Sequence, residues 1–216
     1  MRTSAQAFER NKSILEKYLP KAAVEPITHS INTLNFKLKI KKERSTKLGD
    51  YRSPFNGMGH VITVNRNLNQ YAFLITLLHE MAHLTNWNKH QRKVKPHGIE
   101  WKMEFKALLQ PYLNSECFPA DVLHALRDYA ENPAASSCAD PHLLRILKKH
   151  DAVQGFLLVE DLPTGTRFYT AKKQLFIKGE KRRTRYLCLE VATKRQFLFS
   201  GLAEVYLADE PNLLLN

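Results

Sequence analysis

Cysteine is scarce in this chain, and its few copies are poorly spaced for cross-linking. The three cysteines among 216 residues are Cys117, Cys138 and Cys188, and no two of them form a C-x-x-C pair. An odd number of widely separated cysteines argues against a disulfide framework and is typical of proteins in a reducing compartment. We therefore expect a cytoplasmic protein.

The sequence also lacks long apolar runs. No stretch approaches the roughly 20 apolar residues that a membrane-spanning helix requires. The first twenty residues lack the apolar core of a signal peptide. These absences predict a soluble protein with no membrane partner. With 44% hydrophobic residues, the chain can still form the core of one good-sized domain, or of one domain and a small appendage.

Acidic residues are fewer than basic residues in this chain. Lysine and arginine number 33 against 21 aspartate and glutamate residues, so the formal net charge is +12. A basic surface of this kind favours acidic partners, of which nucleic acid is the commonest.

Spacing of apolar residues predicts helices over most of the first 150 residues. Residues 4–19 have helical spacing that ends at Pro20, and a second short helix is expected after Pro26. A buried helix is predicted from about residue 68 to 87. Further helices are expected from about residue 98 to Pro111 and within residues 119–150.

Two strands interrupt the predicted helices. Alternation of apolar residues and lysines predicts a strand at 36–40, and HVITV predicts another at 60–64. The turn-rich stretch 49–59 between them reads as a loop.

Beyond residue 153, five short segments rich in β-branched and aromatic residues alternate with turn signals, one of which is Gly179-Glu180-Lys181. This pattern predicts antiparallel strands joined by hairpins. We therefore expect an α+β protein with one domain at 1–152 and a small basic antiparallel β domain at 153–216.

The stretch His79-Glu80-Met81-Ala82-His83 matches H-E-x-x-H and lies inside the apolar helix predicted at 68–87. Residues four apart on a helix project from one face about 6 Å apart along its axis, so His79 and His83 can bind one Zn²⁺ ion. Glu80 is placed to act as the general base on a water molecule beside that ion. Burying these side chains without a partner would cost free energy, which favours a metal over a chance pattern.

A catalytic zinc site usually has three protein ligands, and the third must come from beyond this helix. His97 is the leading candidate, because it lies at the start of the next predicted helix in KPHGIEW. Gly98 beside it would allow a close backbone approach. Glu100 and Glu104 remain alternatives, since one class of zinc peptidases takes a glutamate ligand from the following helix.

Residues 77–102, LLHEMAHLTNWNKHQRKVKPHGIEWK, resemble the SprT-like metallopeptidases, the group that includes the eukaryotic Spartan proteases. The shared features are H-E-x-x-H, a spacer of similar length, and His-Gly followed shortly by an aromatic residue. A preceding Leu-Gly-x-Tyr and a strand followed by Asn-x-x-Leu also fit, so the resemblance covers roughly residues 5–115.

The resemblance implies a small zincin fold with histidine ligands at His79, His83 and His97 and a catalytic Glu80. It also implies that the strand at 60–64 lies near the cleft and could pair with an extended substrate.

The chain departs from the family at its C-terminus. Many SprT-like proteins have a zinc ribbon there with two cysteine pairs, whereas this chain has only Cys188 in that region. We therefore expect one Zn²⁺ per chain, and the region 153–216 is either a ribbon that lost its metal or an unrelated β appendage.

Positive charge is concentrated in this C-terminal region. Between Gly165 and Gln196 ten cations stand against two carboxylates, a net charge of +8, and aromatic residues lie among them. Cations can contact phosphates and aromatic rings can stack on unpaired bases. However, aromatic residues in strands are usually core and lysines on the other face are usually solvated. The best candidate for a phosphate contact is the run Lys181-Arg182-Arg183, and the resemblance to Spartan, which acts on proteins attached to DNA, favours DNA as the partner.

Taken together, these patterns predict a zinc metallopeptidase that cleaves protein or peptide substrates, with DNA-associated proteins among the candidates. One alternative is a nucleic-acid-binding protein whose zincin domain is structural or only weakly active, and another is hydrolysis of a small amide. The intact Glu80 favours a peptidase, because a purely structural zinc site needs no base. Tyr51, Arg52 and His60 are candidates to approach the cleft, and their spacing does not select among them.

Overall fold

The chain divides into two compact units between residues 151 and 152. The computed structural model describes residues 4–44, 47–133, 140–151 and 155–208. The first unit combines helices with a small mixed sheet, and the second is an antiparallel sheet, so the α+β class expected from the sequence is confirmed. No helix within the described residues is long and apolar enough to cross a membrane.

Helices form most of the first unit. Those in its described residues are α1 (Ser4–Leu15), α2 (Lys21–Thr33), α3 (Gln70–His90), α4 (Ile99–Leu109), α5 (Ala120–Glu131) and α6 (Pro141–Lys148). Helix α2 begins directly after Pro20 and contains Pro26, so the expectation of a helix that starts only after Pro26 is wrong. Burial of the apolar face of α2, which includes Ile27, stabilises the helix. This stabilisation exceeds the free energy lost with the backbone hydrogen bond that a proline inside a helix removes.

Helix α3 is the central helix of this unit, and its residues from Ala72 to Met81 are all buried. Asn69 caps its first turn, because its side-chain oxygen accepts hydrogen bonds from the backbone N–H groups of Tyr71 and Ala72. The Asn69 amide also donates to the carbonyl of Leu147 in α6, at 2.8 Å. The helix that contains H-E-x-x-H is therefore held in place at its start and along its length.

The sheet of the first unit has three strands, β1 (Phe36–Lys41), β2 (Gly49–Arg52) and β3 (His60–Asn65). Their order is β1-β3-β2, with β1 parallel and β2 antiparallel to β3. The expectation of a loop at 49–59 is therefore wrong for its first four residues, because they pair with β3 along one edge of the sheet.

Strand β3 is the central strand, and both of its edges are already paired. The expectation that the strand at 60–64 could pair with an extended substrate is therefore wrong. Strand β2 is an edge strand and lies against α3, so its outer edge is the one near the H-E-x-x-H helix.

The side chain of Asn65 holds the segment that leads into β2. Its oxygen accepts a hydrogen bond from Arg44 Nε at 2.8 Å, and its amide donates to the carbonyl of Lys47 at 2.9 Å. Asn65 is 1% exposed, so both contacts are shielded from water. This explains why four residues inside a turn-rich stretch form a strand at one defined register.

The second unit is a six-stranded sheet in the order β4-β9-β5-β6-β7-β8. Its strands are β4 (Leu157–Leu158), β5 (Arg167–Tyr169), β6 (Leu175–Arg182), β7 (Arg185–Glu190), β8 (Gln196–Ser200) and β9 (Glu204–Leu207). The turn expected at 179–181 is wrong, since β6 continues to Arg182 with a shift of register between Lys178 and Lys181. At this shift the backbone carbonyl of Leu187 lies where a side chain at position 179 would be. Gly179 has no side chain and therefore permits the shift.

Candidate metal centre

Three histidines converge in a cleft of about 650 Å³ in the first unit. Each of His79, His83 and His97 offers one ring nitrogen, and these three nitrogens lie within 4.8 Å of one another. The ring centroids are 4.6 Å apart for His83 and His97 and 5.4 Å apart for His79 and His97. Within the part of the chain that the structure describes, this is the one group of three or more such side chains that could hold a metal ion.

The chain reverses direction between α3 and α4, and this reversal brings His97 to the other two histidines. Gln91 ends α3 with a positive φ of 53°, and its N–H donates to the carbonyl of Trp87. A tight turn follows, closed by a 3.0 Å hydrogen bond from the N–H of Gly98 to the carbonyl of Lys95. His97 lies within this turn, and only Gly98 separates it from α4.

The two glutamates considered as alternative ligands are not part of this group. Glu104 instead forms an ion pair with Lys89 of α3, with 2.6 Å between the carboxylate oxygen and Nζ. Glu100 lies in the first turn of α4, and its carboxylate oxygen is 2.9 Å from the position that a Cβ on Gly98 would occupy.

Burial keeps the three imidazoles neutral. Removal from water, followed by the nearby rings of His83 and His97, lowers the pKa of His79 to about 3. Burial and the neighbouring His97 lower the pKa of His83 to about 4, and burial also lowers the pKa of His97. At neutral pH each ring therefore has a nitrogen lone pair free to bind a metal.

Two of the ring nitrogens lack a hydrogen-bond partner although they are buried. These are Nδ1 of His79 and Nε2 of His97. A buried polar atom without a partner costs free energy, and a metal ion in the cluster would recover part of that cost. Three neutral imidazoles form a donor set that suits Zn²⁺, so the residues present fit this ion.

The indole of Trp101 forms one wall of the histidine cluster. Its ring centroid lies 4.6 Å from that of His79, 5.4 Å from that of His83 and 4.9 Å from that of His97. Trp101 is fully buried and stacks on Phe105. The sequence marked this residue only as an aromatic that follows His-Gly, and its contact with all three rings depends on how α4 packs against α3.

Glu80 lies in the same cleft and is 7% exposed. The backbone N–H of Tyr51 in β2 interacts with its carboxylate and favours the ionised form, which lowers its pKa. Burial and, to a lesser degree, the charge of Asp50 raise the pKa of Glu80 to about 8, against the opposing charges of Arg44 and Lys47. A carboxyl group with a pKa near neutrality can both accept and release a proton at physiological pH.

The family comparison supports the same part of the chain. The model of the SprT-like family matches residues 18–124, a segment that contains Glu80 and all three clustered histidines. Through this segment the chain belongs to the SprT-like family. Its first unit therefore contains a zincin-like domain related to the zinc metallopeptidases. Neither a curated protein nor a solved structure gives a significant match to the chain.

Of the three further residues considered near the cleft, Tyr51 is the one that lines it in the SprT-like domain. Its ring lies parallel to that of His83, with 6.4 Å between the centroids and 7° between the planes. The Tyr51 hydroxyl forms a 2.9 Å hydrogen bond with Nδ1 of His60. The guanidinium of Arg52 pairs instead with Asp50, at 3.1 Å.

The basic run considered for phosphate binding lies outside the SprT-like domain, in the second unit. Lys181 and Arg182 end β6, and Arg183 occupies the turn before β7 with φ of 55°. All three side chains are exposed. Lys178, another cation of this region, is 4% exposed and donates to the backbone carbonyls of Glu160 and Leu162. Its ammonium group is therefore bound inside the second unit and does not face a phosphate at the surface.

Proposed function

We propose that this protein is a zinc-dependent metallopeptidase that hydrolyses peptide bonds. The observation that carries the proposal is the meeting of three neutral imidazole nitrogens and a buried carboxyl group in one cleft. His79, His83 and His97 would hold the ion. Zn²⁺, when bound, supplies a Lewis acid that polarises a carbonyl group and makes water more acidic.

Glu80 acts as the general base in this proposal. Its carboxylate accepts the proton of the attacking water and then delivers that proton to the departing amine, so the residue ends the cycle as it began. Burial favours the neutral acid and a nearby cation favours the ionised form. The raised pKa of Glu80 belongs to the metal-free protein, and a bound Zn²⁺ would favour the ionised carboxylate, which is the form that accepts a proton.

The free edge of β2 is the best candidate to bind an extended substrate backbone. The N–H of Asn65 bonds to the carbonyl of Leu48, and hydrogen-bonded pairs alternate along an antiparallel ladder. The N–H and C=O groups of Gly49 and Tyr51 are therefore directed away from β3. Of these four groups, the N–H of Tyr51 faces Glu80, and the other three can pair with a substrate. A peptide that adds to this edge would run along the cleft that contains Glu80.

This edge also favours a peptide over a small amide. A small amide would use the metal and the base but would leave the N–H and C=O of Gly49 and the C=O of Tyr51 without a partner. A peptide could pair with them over several residues, which gives it additional binding energy.

A second candidate function is nucleic-acid binding by the second unit, and it is favoured by the exposed Lys181, Arg182 and Arg183 around one hairpin turn. Three cations at one turn can contact successive phosphates. If both proposals hold, the protease would act on proteins associated with DNA. If only the second holds, the SprT-like domain serves a structural role or is weakly active.

Cleavage of an unfolded, labelled protein tests the first proposal. The zinc-loaded protein should cleave it, and Glu80→Gln should lower the rate by about 10²–10⁴-fold while zinc content is unchanged. Each assay is repeated with single-stranded DNA to learn whether DNA stimulates cleavage. Equal cleavage by the Glu80→Gln protein would reject Glu80 as the base.

DNA affinity measured over a range of salt concentrations tests the second proposal. Changing Lys181, Arg182 and Arg183 to glutamine should weaken binding and reduce the salt slope by about 0.7 for each lost contact to single-stranded DNA. The exposed cations Arg10, Lys17 and Lys21 in the first unit provide a matched control with the same change of net charge. Equal loss of affinity in both triple variants would show a general charge effect and would remove the hairpin as a binding site.

A further inference from the structure

Gly49 lies directly against the side chain of Glu80. A Cβ atom added to Gly49 would be 2.5 Å from Oε1 of Glu80 and 2.8 Å from its Cγ. The same atom would be 2.8 Å from Cγ2 of Thr76, one helical turn earlier on α3. Separations below 3.0 Å are not tolerated between such atoms, so any side chain at position 49 must displace Glu80, Thr76 or the strand itself.

The two contacts of Glu80 with β2 come from residues on one face of that strand. Gly49 and Tyr51 are two residues apart, so both face α3. Gly49 leaves room for the Glu80 side chain to lie against the strand, and the N–H of Tyr51 interacts with its carboxylate. Glu80 is 7% exposed, so little open space remains into which it could move.

We propose that Gly49 is a positioning residue for Glu80. Its missing side chain lets β2 lie close enough to α3 for the Tyr51 N–H to fix the carboxylate. The same short strand would then both orient the base and present its free edge to the substrate. The inference rests on the proposed peptidase function, because positioning matters only if Glu80 acts as the base.

The contact itself can be measured without any activity. Thermal unfolding is compared for Gly49→Ala in two backgrounds, one with Glu80 and one with Glu80→Ala. With Glu80 present, the added methyl group should lower the Tm by about 3–10 °C. In the Glu80→Ala background the loss should be smaller, because two of the three close atoms are gone. Equal losses in the two backgrounds would overturn the contact between Gly49 and Glu80.

Kinetics then separate positioning from general damage. In the zinc-loaded Gly49→Ala protein, kcat should fall by about 100-fold, as expected for a misplaced base. KM should change by less than about threefold and zinc content should be unchanged, since the free edge of β2 and the three histidines remain. An unchanged kcat would overturn the positioning role.

Two further variants test whether a general effect of glycine substitution or of helix–strand packing explains the loss of kcat. Gly59→Ala is the matched control, because a Cβ there would meet no atom within 4 Å and its backbone is not left-handed, so kcat and Tm should stay at parental values. Adding Thr76→Ser to Gly49→Ala removes the clash with Cγ2 and should leave kcat low. Recovery of kcat would assign the defect to helix–strand packing and overturn the proposal.

Loss of the peptidase function and loss of the contact between Gly49 and Glu80 would give different results. A parental protein that cleaves no substrate, combined with a smaller Tm loss in the Glu80→Ala background, would reject the peptidase function and the positioning role while retaining the contact. Active parental protein combined with equal Tm losses would reject Gly49 alone.

Discussion

The indole ring of Trp101 packs against the imidazole of His79 with 4.6 Å between their centroids, although the two residues are on different helices. Trp101 is fully buried, and its ring also contacts the other two histidines of the cluster. The orientation of the imidazoles therefore depends on how closely α4 packs on α3. A side chain that orients metal ligands in this way influences metal affinity without contacting the metal.

Replacing Trp101 by phenylalanine should weaken zinc binding. The smaller ring leaves a void beside His79 and allows the imidazoles to rotate, so we expect a loss of about 10–100-fold in zinc affinity. Competition with a chromophoric chelator measures this affinity. The other tryptophan, Trp87, is the matched control, and Trp87→Phe should change zinc affinity much less. Similar losses in both variants would contradict the role assigned to Trp101.

The third ligand can be identified by comparing two variants. His97→Ala should reduce zinc content from about one ion per chain to a small fraction, because two histidines alone leave the site short of the usual three ligands. Glu104→Gln should retain the ion, since Glu104 pairs with Lys89. Metal analysis after dialysis gives both values, and His90→Ala, at the last residue of α3, serves as a histidine control. Zinc loss in Glu104→Gln but not in His97→Ala would reverse the assignment.

Glu80 should make the metal-free protein less stable at alkaline pH. Its folded-state pKa is about 8 and its ordinary value is 4.5, so the folded state favours the neutral acid. Stability is therefore present below pH 4.5 and is lost as the pH rises towards 8. Glu80→Gln removes this loss and should stabilise the chelator-treated protein above pH 8 by on the order of a few kcal/mol.

Urea unfolding of both proteins between pH 5 and pH 9 measures this difference. The histidine titrations are common to the two proteins, so they cancel in the comparison. A difference that does not grow with pH would contradict the raised pKa.

Asp50 should shift the pH dependence of catalysis. Burial is the main reason for the raised pKa of Glu80, and the negative charge of Asp50 adds to it. Asp50→Asn removes that charge and should lower the pKa of Glu80, moving the acid limb of kcat/KM to lower pH by about half a unit. Asp121→Asn is a suitable control, because Asp121 pairs with His150 and does not line the cleft. A shift to higher pH would contradict this account.

Most elements of the first unit could be predicted because their signals are local. The alternation at 36–40 and the β-branched run at 60–64 correspond to β1 and β3, and the apolar run before His79 corresponds to α3. Strand β2 could not be predicted, since Gly49–Arg52 is short and polar. It forms because Asn65 holds the preceding segment and β3 offers a partner edge. The turn expected at Gly179 failed for a similar reason, because close contact with β7 keeps that glycine within a strand.

The sequence by itself determined the pair His79 and His83 with Glu80 between them, because helical periodicity fixes which residues share a face. It also restricted the third ligand to a few residues after the helix, and it predicted the basic, cysteine-poor C-terminal region. Only the tertiary structure decided that His97 joins the two histidines, that Trp101 packs on all three rings, and that β2 contacts Glu80. These relationships join residues on separate elements, so they depend on loop reversal and packing, which no local pattern encodes.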